Sequence, residues 1–434
     1  MEDMNIENMP REELRKLQEK RLKETMRRAF RTPFYKKRYK ELGLSEDDVK
    51  NYDDLVKLPF ISKSDIVSSP SDFIFERPSV FHTTSGTTGS PTIVGFTKND
   101  HMIQVEMEER NIRSAGFNKE DIVDNTTPYG MFFAGIMLHE AVMNMGATVI
   151  PTGKLSSAKQ QVEIMDDFKC TAIIGVSQYI LKLSYVYEEE IGDPRESRLK
   201  KAYVLGEPLT DSVRRRLEER WDIDVRQGYG LSEAGSGAEC GEKNGIHWPE
   251  DKVLVEVIDS ETGERLGENE DGELVYTTIS RTGTLVIRFR SRDISRVSYA
   301  GCPCGRTLLK LGPVYRNDEL MKIKGTLISP NAIDEAIFNY DDIQNYLFVV
   351  EKDENEAADL VKLYLESEKK NSKVLMELSK KFGGKLWISP DKSIYVPKGS
   401  IPQLGRKEKR FIDLRKKNQY EMEVREFMKR MDSG

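Results

Sequence analysis

Between residues 147 and 221, short apolar runs alternate with longer amphipathic stretches. The runs "ATVIPTG" (147–153), "TAIIGV" (171–176) and "KAYVLG" (201–206) have the length and composition of strands. Segments 157–168 and 208–221 have the pattern of helices. Strands that alternate with helices usually pair in parallel and carry the helices on the faces of the sheet. This region therefore predicts an α/β layer structure.

The pattern changes on either side of that region. From about residue 252, the strand-like runs "KVLVEVID", "GELVYTTIS" and "TLVIRFRSRDISRVS" are separated by turn-rich connections, which predicts an antiparallel β module. Residues 10–42 read as one basic helix, and the apolar run "KLWIS" (385–389) reads as a strand. We predict an N-terminal domain of α/β layers plus the β module over 1–315 and a small α+β domain over 316–434.

Charge and cysteine content exclude several classes of protein. The 434 residues include 67 Lys and Arg and 73 Asp and Glu, so the net charge of −6 creates no global field for nucleic acid or for a membrane surface. No run approaches the ~18 apolar residues of a spanning helix, and the first thirty residues lack a secretory pattern. Four cysteines fit a reducing, cytoplasmic setting. The oligomeric state stays open, with a homodimer as one alternative.

A Gly/Thr loop occupies residues 84–89. Glycines let backbone N–H groups converge on an anion, and hydroxyl groups add further donors. The loop lacks the G-x-x-x-x-G-K-[ST] spacing of a P-loop, and by itself such a cluster is more often a turn. Its six residues are Thr84, Ser85, Gly86, Thr87, Thr88 and Gly89.

Other motifs support the phosphate-binding interpretation. Together with the Gly/Thr loop, they resemble the adenylate-forming superfamily of acyl-CoA synthetases and, more narrowly, its phenylacetate–CoA ligase subgroup. The resemblance covers residues 10 to 415. Its motifs, in chain order, are "LVKLPFISKSDI", "TSGTTGSPTIVGFTKND", "GEPLTDSVRRRLEE", "YGLSE", "CPCGRT" and "RKEKRFIDLR".

The resemblance implies an enzyme that joins a carboxylate to ATP and passes the acyl group from the adenylate to coenzyme A. The Gly/Thr loop would hold the β- and γ-phosphates, and Glu233 would hold Mg²⁺, which suits one carboxylate plus phosphate oxygens. Asp293 would accept hydrogen bonds from the ribose hydroxyls, with a surface ion pair to Arg290 or Arg292 as the alternative. The remaining residues that this resemblance assigns to the nucleotide site are Gly206, Glu207, Pro208, Tyr229, Gly230, Ser232 and Arg316.

The C-terminal domain would be mobile and would carry the catalytic lysine. Lys407 matches the lysine of the family that stabilises charge on the α-phosphate and the carboxylate, and Lys409 is the alternative within the same basic run. The acyl pocket would include Tyr129, Gly130, Phe133 and His139. Bulky apolar residues replace small ones there, so the match to phenylacetate itself weakens, and we expect an aryl or arylacetic acid.

Three cysteines and one histidine form a candidate metal set. Cys302 and Cys304 form C-P-C, and Cys240 precedes His247 by seven positions, all in polar, turn-like sequence. Three thiolates and one imidazole suit a tetrahedral structural Zn²⁺. The alternative is that the cysteines are small buried thiols without a metal.

Two other functions remain open from the sequence. An adenylyltransferase would act on a cofactor hydroxyl or load a carrier protein, with the same nucleotide motifs. A nucleotide-binding protein without catalysis is the second alternative. The presence of Lys407, Glu233 and Asp293 argues against a degenerate site, because such a site would be expected to lose at least one of them.

Overall fold

The computed structural model describes residues 6–84, 91–153, 157–316, 321–353, 358–386, 388–404, 409–416 and 418–432. The chain divides into two compact units. The first unit contains Met1–Gly206 and Arg220–Arg316, and the second contains Glu207–Glu219 and Asn317–Gly434.

The helices of the described residues are as follows. The α-helices are α1 (Arg11–Ala29), α2 (Pro33–Glu41), α3 (Lys63–Ser68), α4 (Lys98–Ser114), α5 (Phe133–Asn144), α6 (Ala158–Asp167), α7 (Ser177–Glu190), α8 (Asp211–Trp221), α9 (Pro330–Ile337), α10 (Ser372–Lys385) and α11 (Glu421–Asp432). Short 3₁₀ helices lie at Ile6–Asn8, Glu46–Asp48, Asp53–Lys57, Pro70–Phe73 and Pro194–Glu196.

The strands found among the described residues fall into five sheets. Those of the first unit are β1 (Val80–Thr83), β2 (Ile93–Phe96), β3 (Ile122–Asn125), β4 (Thr148–Ile150), β5 (Ala172–Gly175), β6 (Lys201–Val204), β7 (Asp224–Leu231), β8 (Gly235–Glu239), β9 (Ile246–His247), β10 (Val253–Ile258), β11 (Gly272–Thr278), β12 (Phe289–Ser295), β13 (Val297–Ser298), β14 (Lys310–Leu311) and β15 (Tyr315–Arg316). Those of the second are β16 (Met321–Ile323), β17 (Thr326–Ile328), β18 (Asn345–Lys352), β19 (Asp359–Glu366), β20 (Lys392–Val396) and β21 (Phe411–Asp413).

A nine-stranded mixed sheet forms the centre of the first unit. Its order is β13-β14-β9-β8-β7-β6-β5-β3-β4. Strands β4, β3, β5, β6 and β7 pair in parallel, and the strands from β7 to β13 pair antiparallel. The buried run of β5 and the helices between the parallel strands agree with the predicted α/β layers. The carboxyl ends of the parallel strands share one edge, where open α/β sheets bind their ligands.

The predicted antiparallel module is also present. Strands β10, β11, β12 and β15 form a four-stranded antiparallel sheet, and every residue of β10 and β11 is buried. Alternate side chains of the two strands pack with Trp248 and Leu311 in one hydrophobic cluster, namely Val253, Val255 and Val257 of β10 and Leu274 and Tyr276 of β11. Strands buried on both faces read as continuous apolar runs, which is why the sequence pattern identified them.

The predicted single helix over 10–42 is wrong. It is two helices, α1 and α2, because Pro33 occupies the first position of α2 and Thr32 before it is extended. A proline begins a helix readily but cannot continue one. Helix α1 packs on the rest of the first unit through Leu22 and Met26 in a hydrophobic cluster and through polar contacts. Arg11 contacts the buried Glu250, and the Gln18 amide donates to the Glu250 carbonyl (3.0 Å).

The second unit is an α+β structure of its own. Its main sheet has the order β20-β19-β18-β21, with β18 and β19 antiparallel and both outer pairings parallel. The predicted strand at 385–389 is wrong, because α10 continues to Lys385 and Ile388 and Ser389 lie outside any strand. Pro390 follows directly, and the sheet strand begins at Lys392. No helix of the described residues is long and apolar enough to cross a membrane.

Candidate active site

The two ends of the Gly/Thr loop meet at the base of a hairpin. Strands β1 and β2 pair antiparallel, and just beyond them the Thr84 N–H donates to the Thr92 carbonyl (3.1 Å). The Thr92 N–H donates back to the Thr84 Oγ1 (3.2 Å). The loop residues 85–90 lie outside the described residues, so of the predicted phosphate ligands only Thr84 is placed. The hairpin fixes where this loop begins and ends.

Glu233 lies in the turn that joins β7 to β8, and its side chain is buried. Burial raises the pKa of its carboxyl above the ordinary value, whereas the Lys63 ammonium and the Thr92 hydroxyl act in the opposite direction. Thr92 itself lies at the base of the Gly/Thr loop, where its carbonyl accepts from the Thr84 N–H. Ser232, in the same turn, is buried, and Gly230 pairs with Ser236 in the β7–β8 register.

Tyr229 and Asp293 meet although they lie on different sheets. The Tyr229 hydroxyl donates to Asp293 Oδ2 (2.6 Å), and the Tyr276 hydroxyl donates to the Tyr229 oxygen (3.0 Å). Asp293 is 3% exposed, which argues against the alternative of a surface ion pair. Arg290 contacts Glu273 instead (2.5 Å). The cluster presents a fixed carboxylate between two strands.

Arg316 stands opposite Asp293 in the register of β12 and β15. Its Nε lies 3.7 Å from Asp293 Oδ1, and its side chain is 34% exposed. A guanidinium at this distance supports the ionised state of the carboxylate. Asp293 and Arg316, predicted together at the ribose, are therefore together in the structure.

The predicted acyl-pocket residues divide into two groups. Tyr129 is 36% exposed, and its hydroxyl oxygen accepts from the Asn125 amide (2.9 Å) and lies 3.2 Å from His139 Nδ1. Burial raises the pKa of Tyr129 to about 12. Gly130 has a φ of +107°, which favours glycine. Phe133, by contrast, is packed in the core beside His82.

Three other predicted site residues follow β6. Gly206 ends this segment of the first unit with a φ of +87°, at the carboxyl edge of the parallel strands. Glu207 and Pro208 belong to the second unit. Lys407 lies outside the described residues. On either side of residues 405–408, the Lys409 N–H donates to the Leu404 carbonyl (2.9 Å).

The four candidate zinc ligands converge. Their ligand atoms all lie within 4.8 Å of one another. The Sγ atoms of Cys240 and Cys302 are 3.6 Å apart, and Cys304 Sγ lies 3.5 Å from His247 Nε2. A tetrahedral zinc bound by thiolate and imidazole has S–S edges of about 3.8 Å and S–N edges of about 3.5 Å. The four residues therefore fit a zinc ion.

The four candidate ligands differ in their surroundings: His247 is buried, and Cys304 lies beside the charged side chain of Arg306. His247 is buried, and its Nδ1 has no hydrogen-bond partner among the described residues. Burial alone raises the pKa of the Cys304 thiol, but hydrogen bonds from Arg306 bring it below the ordinary value. Arg306 in turn contacts Glu7 (2.9 Å). The arrangement favours thiolate at Cys304, the form that binds metals.

Comparison with known proteins identifies the family of this chain. The model of the AMP-binding enzyme family matches residues 12–282. The phenylacetate–coenzyme A ligase of Thermus thermophilus is 32% identical over 80% of this chain and 80% of its own. That of Escherichia coli is 30% identical over 94% of this chain and 97% of its own. A crystal structure of 2-hydroxyisobutyryl-CoA ligase in the postadenylation state aligns with a TM-score of 0.85 at 23% identity, covering 99% of this chain and 94% of that one.

The chain therefore belongs to the AMP-binding enzyme family. Within that family, relatives at 30–34% identity over most of the chain confirm the phenylacetate–CoA ligase-like subgroup and the predicted class, an AMP-forming acid–thiol ligase. The structural likeness confirms the α/β fold.

Two residues of this site carry no recognisable motif. Tyr276 orients Tyr229, and Arg281 contacts the turn that carries Glu233. Tyr276 lies in an ordinary buried strand, and Arg281 lies in a loop between strands. The local sequence around each of them has no pattern that would distinguish a functional residue from one that only supports the fold. Only the pairing of strands distant in the chain brings them to the site.

Proposed function

We propose that this protein activates an aryl or arylacetic acid with ATP and transfers the acyl group to coenzyme A. In the first step a carboxylate oxygen attacks the α-phosphorus of ATP, and pyrophosphate leaves with its electron pair. In the second step the sulfur of coenzyme A attacks the acyl carbonyl, AMP leaves, and one proton is released. Both steps build negative charge that positioned cations and N–H groups must stabilise.

The observation that carries this proposal is the Tyr229–Asp293 contact with Arg316 alongside. A buried carboxylate held from one side by a tyrosine hydroxyl (2.6 Å) and flanked by a guanidinium is suited to accept hydrogen bonds from two ribose hydroxyls. The tyrosine ring beside it offers an apolar face for adenine. The hairpin base at Thr84 and the turn at Glu233 would place the triphosphate near the same edge of the sheet.

Magnesium fits the donors on this side of the site. Glu233 supplies one buried carboxylate, and the remaining ligands would be phosphate oxygens and water, the usual shell of Mg²⁺ at nucleotides. The bound ion would neutralise charge on the departing pyrophosphate. Lys407 would stabilise the negative charge that develops on the α-phosphate and the incoming carboxylate.

The substrate class is proposed from the relatives and from the acyl pocket. Four matched proteins are named for phenylacetate and one for 4-hydroxybenzoate or benzoate, and one structural neighbour is named for 2-hydroxyisobutyrate. Tyr129 offers an aromatic ring and His139 a polar side chain in contact with it. Tyr129 follows the carboxyl end of the parallel strand β3. We therefore expect ATP–pyrophosphate exchange with arylacetic or aromatic acids and little with 2-hydroxyisobutyrate.

The acid screen and the acceptor test are separate measurements. Exchange that depends on phenylacetate or benzoate supports carboxylate activation, and exchange with none of the acids of the panel argues for adenylylation of a hydroxyl. Adding coenzyme A should then yield one acyl-CoA and one AMP for each ATP. Adenylate that accumulates despite coenzyme A would favour a carrier protein as the acceptor.

We also propose that the Cys240, His247, Cys302 and Cys304 set holds a structural Zn²⁺. With four protein ligands the ion would have no open position, so it would join the β8–β9 hairpin to the loop that follows β13. Purified protein should contain about one zinc per chain. Cys304→Ser should lose the metal and lower the melting temperature, whereas Cys170→Ser, a buried thiol outside the set, should keep the metal. A protein that contains no zinc when purified without chelator would refute the site.

The compartment and the assembly belong to the same proposal. All four cysteines are free thiols, a state that a reducing compartment preserves, and we place the enzyme in the cytoplasm on that basis. Light scattering after size exclusion would decide between a monomer and a homodimer.

A further inference from the structure

Arg281 is a buried arginine that reaches the turn between β7 and β8. It is 3% exposed, and its Nη1 donates to the backbone carbonyls of Ser232 (2.9 Å) and Glu233 (2.8 Å). Its Nη2 donates to Gln104 Oε1 on α4 (3.3 Å). One guanidinium group therefore fixes two successive carbonyls of the turn and joins the turn to a helix.

The same side chain contacts the strand that leaves the Gly/Thr loop. The guanidinium carbon lies 4.5 Å from the ring centroid of Phe96, the last residue of β2. Four residues later, Asp100 on α4 accepts from the backbone N–H groups of Thr282 (2.8 Å) and Gly283 (2.7 Å), directly after Arg281. The segment 281–283 is thus held to β2 and α4 by its backbone while its arginine holds the Glu233 turn.

The charge of Arg281 is expensive to bury. Burial lowers the pKa of Arg281 to about 10, and Asp100 and Glu233 act in the opposite direction, so the group remains protonated at neutral pH. A well-packed apolar side chain at such a position often stabilises a fold as well as a buried charge does. What the guanidinium adds is direction, because Nη1 donates to both carbonyls while Nη2 donates to Gln104 in the same plane.

We propose that Arg281 is a positioning residue that orients the turn carrying Glu233, so that the Glu233 carboxylate can bind the metal of the magnesium–ATP complex. The inference rests on the proposed function, since it assumes that Glu233 holds the metal. Arg281 does not itself contact the nucleotide in this account: its donors point to backbone carbonyls inside the protein. It acts through the turn, so its loss should weaken metal–nucleotide binding and leave binding of the acid unchanged.

The test compares Arg281→Met and Arg281→Lys with the wild type in ATP–pyrophosphate exchange. At a fixed ATP concentration, Arg281→Met should raise the free Mg²⁺ required for half-maximal rate about tenfold, the effect of losing one charged hydrogen bond. The KM for the acid should stay within about twofold. Arg281→Lys should recover part of the loss, because one ammonium can still donate to the carbonyls of the turn but cannot also replace the bond from Nη2 to Gln104.

Arg288→Met is the matched control. Arg288 is also 3% exposed, but it pairs with Glu256 (3.0 Å), away from the turn. This variant should lower the melting temperature without changing the Mg²⁺ requirement. Hydrogen exchange should increase at residues 229–237 in Arg281→Met and not in Arg288→Met, a readout that needs no activity.

Two results would overturn the inference. One is an unchanged Mg²⁺ requirement in both Arg281 variants while the wild type is active. The other is an equal change in Arg288→Met, which would indicate general loss of stability. If Arg281→Met does not fold, Arg281→Lys carries the same comparison. A wild type inactive with every acid would instead refute the proposed function, and the hydrogen-exchange comparison would still decide whether Arg281 holds the turn.

Discussion

Replacing Asp293 with asparagine tests the nucleotide site at its best-defined contact. The Asn side chain keeps the shape of Asp, and its oxygen can still accept from the Tyr229 hydroxyl, so the cluster should remain folded. What is lost is the negative charge that would accept from the ribose. A hydrogen bond to a charged group is worth about 1.5–3 kcal/mol. A loss of about 2–3 kcal/mol corresponds to a rise of about 30- to 150-fold in KM for ATP.

The assay is initial-rate ATP–pyrophosphate exchange at saturating acid, with thermal melting measured in parallel. Glu273→Gln is the matched control, because Glu273 is 3% exposed and pairs with Arg290 on the neighbouring strand of the same sheet. The control should lower the melting temperature and leave KM for ATP unchanged. A folded Asp293→Asn variant with the wild-type KM for ATP would refute the ribose assignment, as would an equal rise in the control.

Two further predictions concern the catalytic lysine and a buried carboxyl. Lys407→Ala should reduce exchange about 10²- to 10³-fold, the effect of removing one donor that stabilises transition-state charge, whereas Lys409→Ala should retain most activity; the reverse order of the two effects would exchange their roles. Burial raises the pKa of Asp124 from 3.8 to about 6, so the folded state binds its proton more tightly than the unfolded state, and this carboxyl should cost stability as pH rises from about 4 to about 6. The cost is at most about 3 kcal/mol. Asp124→Asn should remove this pH dependence of stability in melting experiments from pH 4 to 7. The variant should fold, since Gln161 Oε1, unpartnered among the described residues, can accept from the new amide. An unchanged pH profile of the melting temperature would show that Asp124 is not the source of the pH dependence.

The fold could be predicted where burial dictates the sequence. Strand β5 is buried throughout and shows as the apolar run "AIIG", and helices on both sides of it imply parallel pairing. The errors came from segments whose local pattern is ambiguous. Pro33 lies inside a run of basic residues that is helical on both sides, and "KLWIS" has as many apolar residues as the neighbouring "KSIYV", which is the true strand.

The sequence could predict many of the individual site residues but not the contacts between them. Distinctive residue types identified the Cys and His set, because thiols and imidazoles in polar turns have few structural reasons to be there. Tyr229 and Asp293 were predicted from family motifs, yet their contact joins two sheets. No local sequence pattern fixes the strand registers that bring the two side chains together. Arg281 is one of 67 Lys and Arg residues, and only its two carbonyl contacts distinguish it.

The most direct test of the account is stoichiometry. Purified protein with Mg²⁺, ATP, phenylacetate or a related aromatic acid, and coenzyme A should form AMP, pyrophosphate and acyl-CoA in equal amounts, and without coenzyme A it should catalyse acid-dependent pyrophosphate exchange. Formation of ADP, or the absence of any acid-dependent exchange across the aromatic panel, would contradict it.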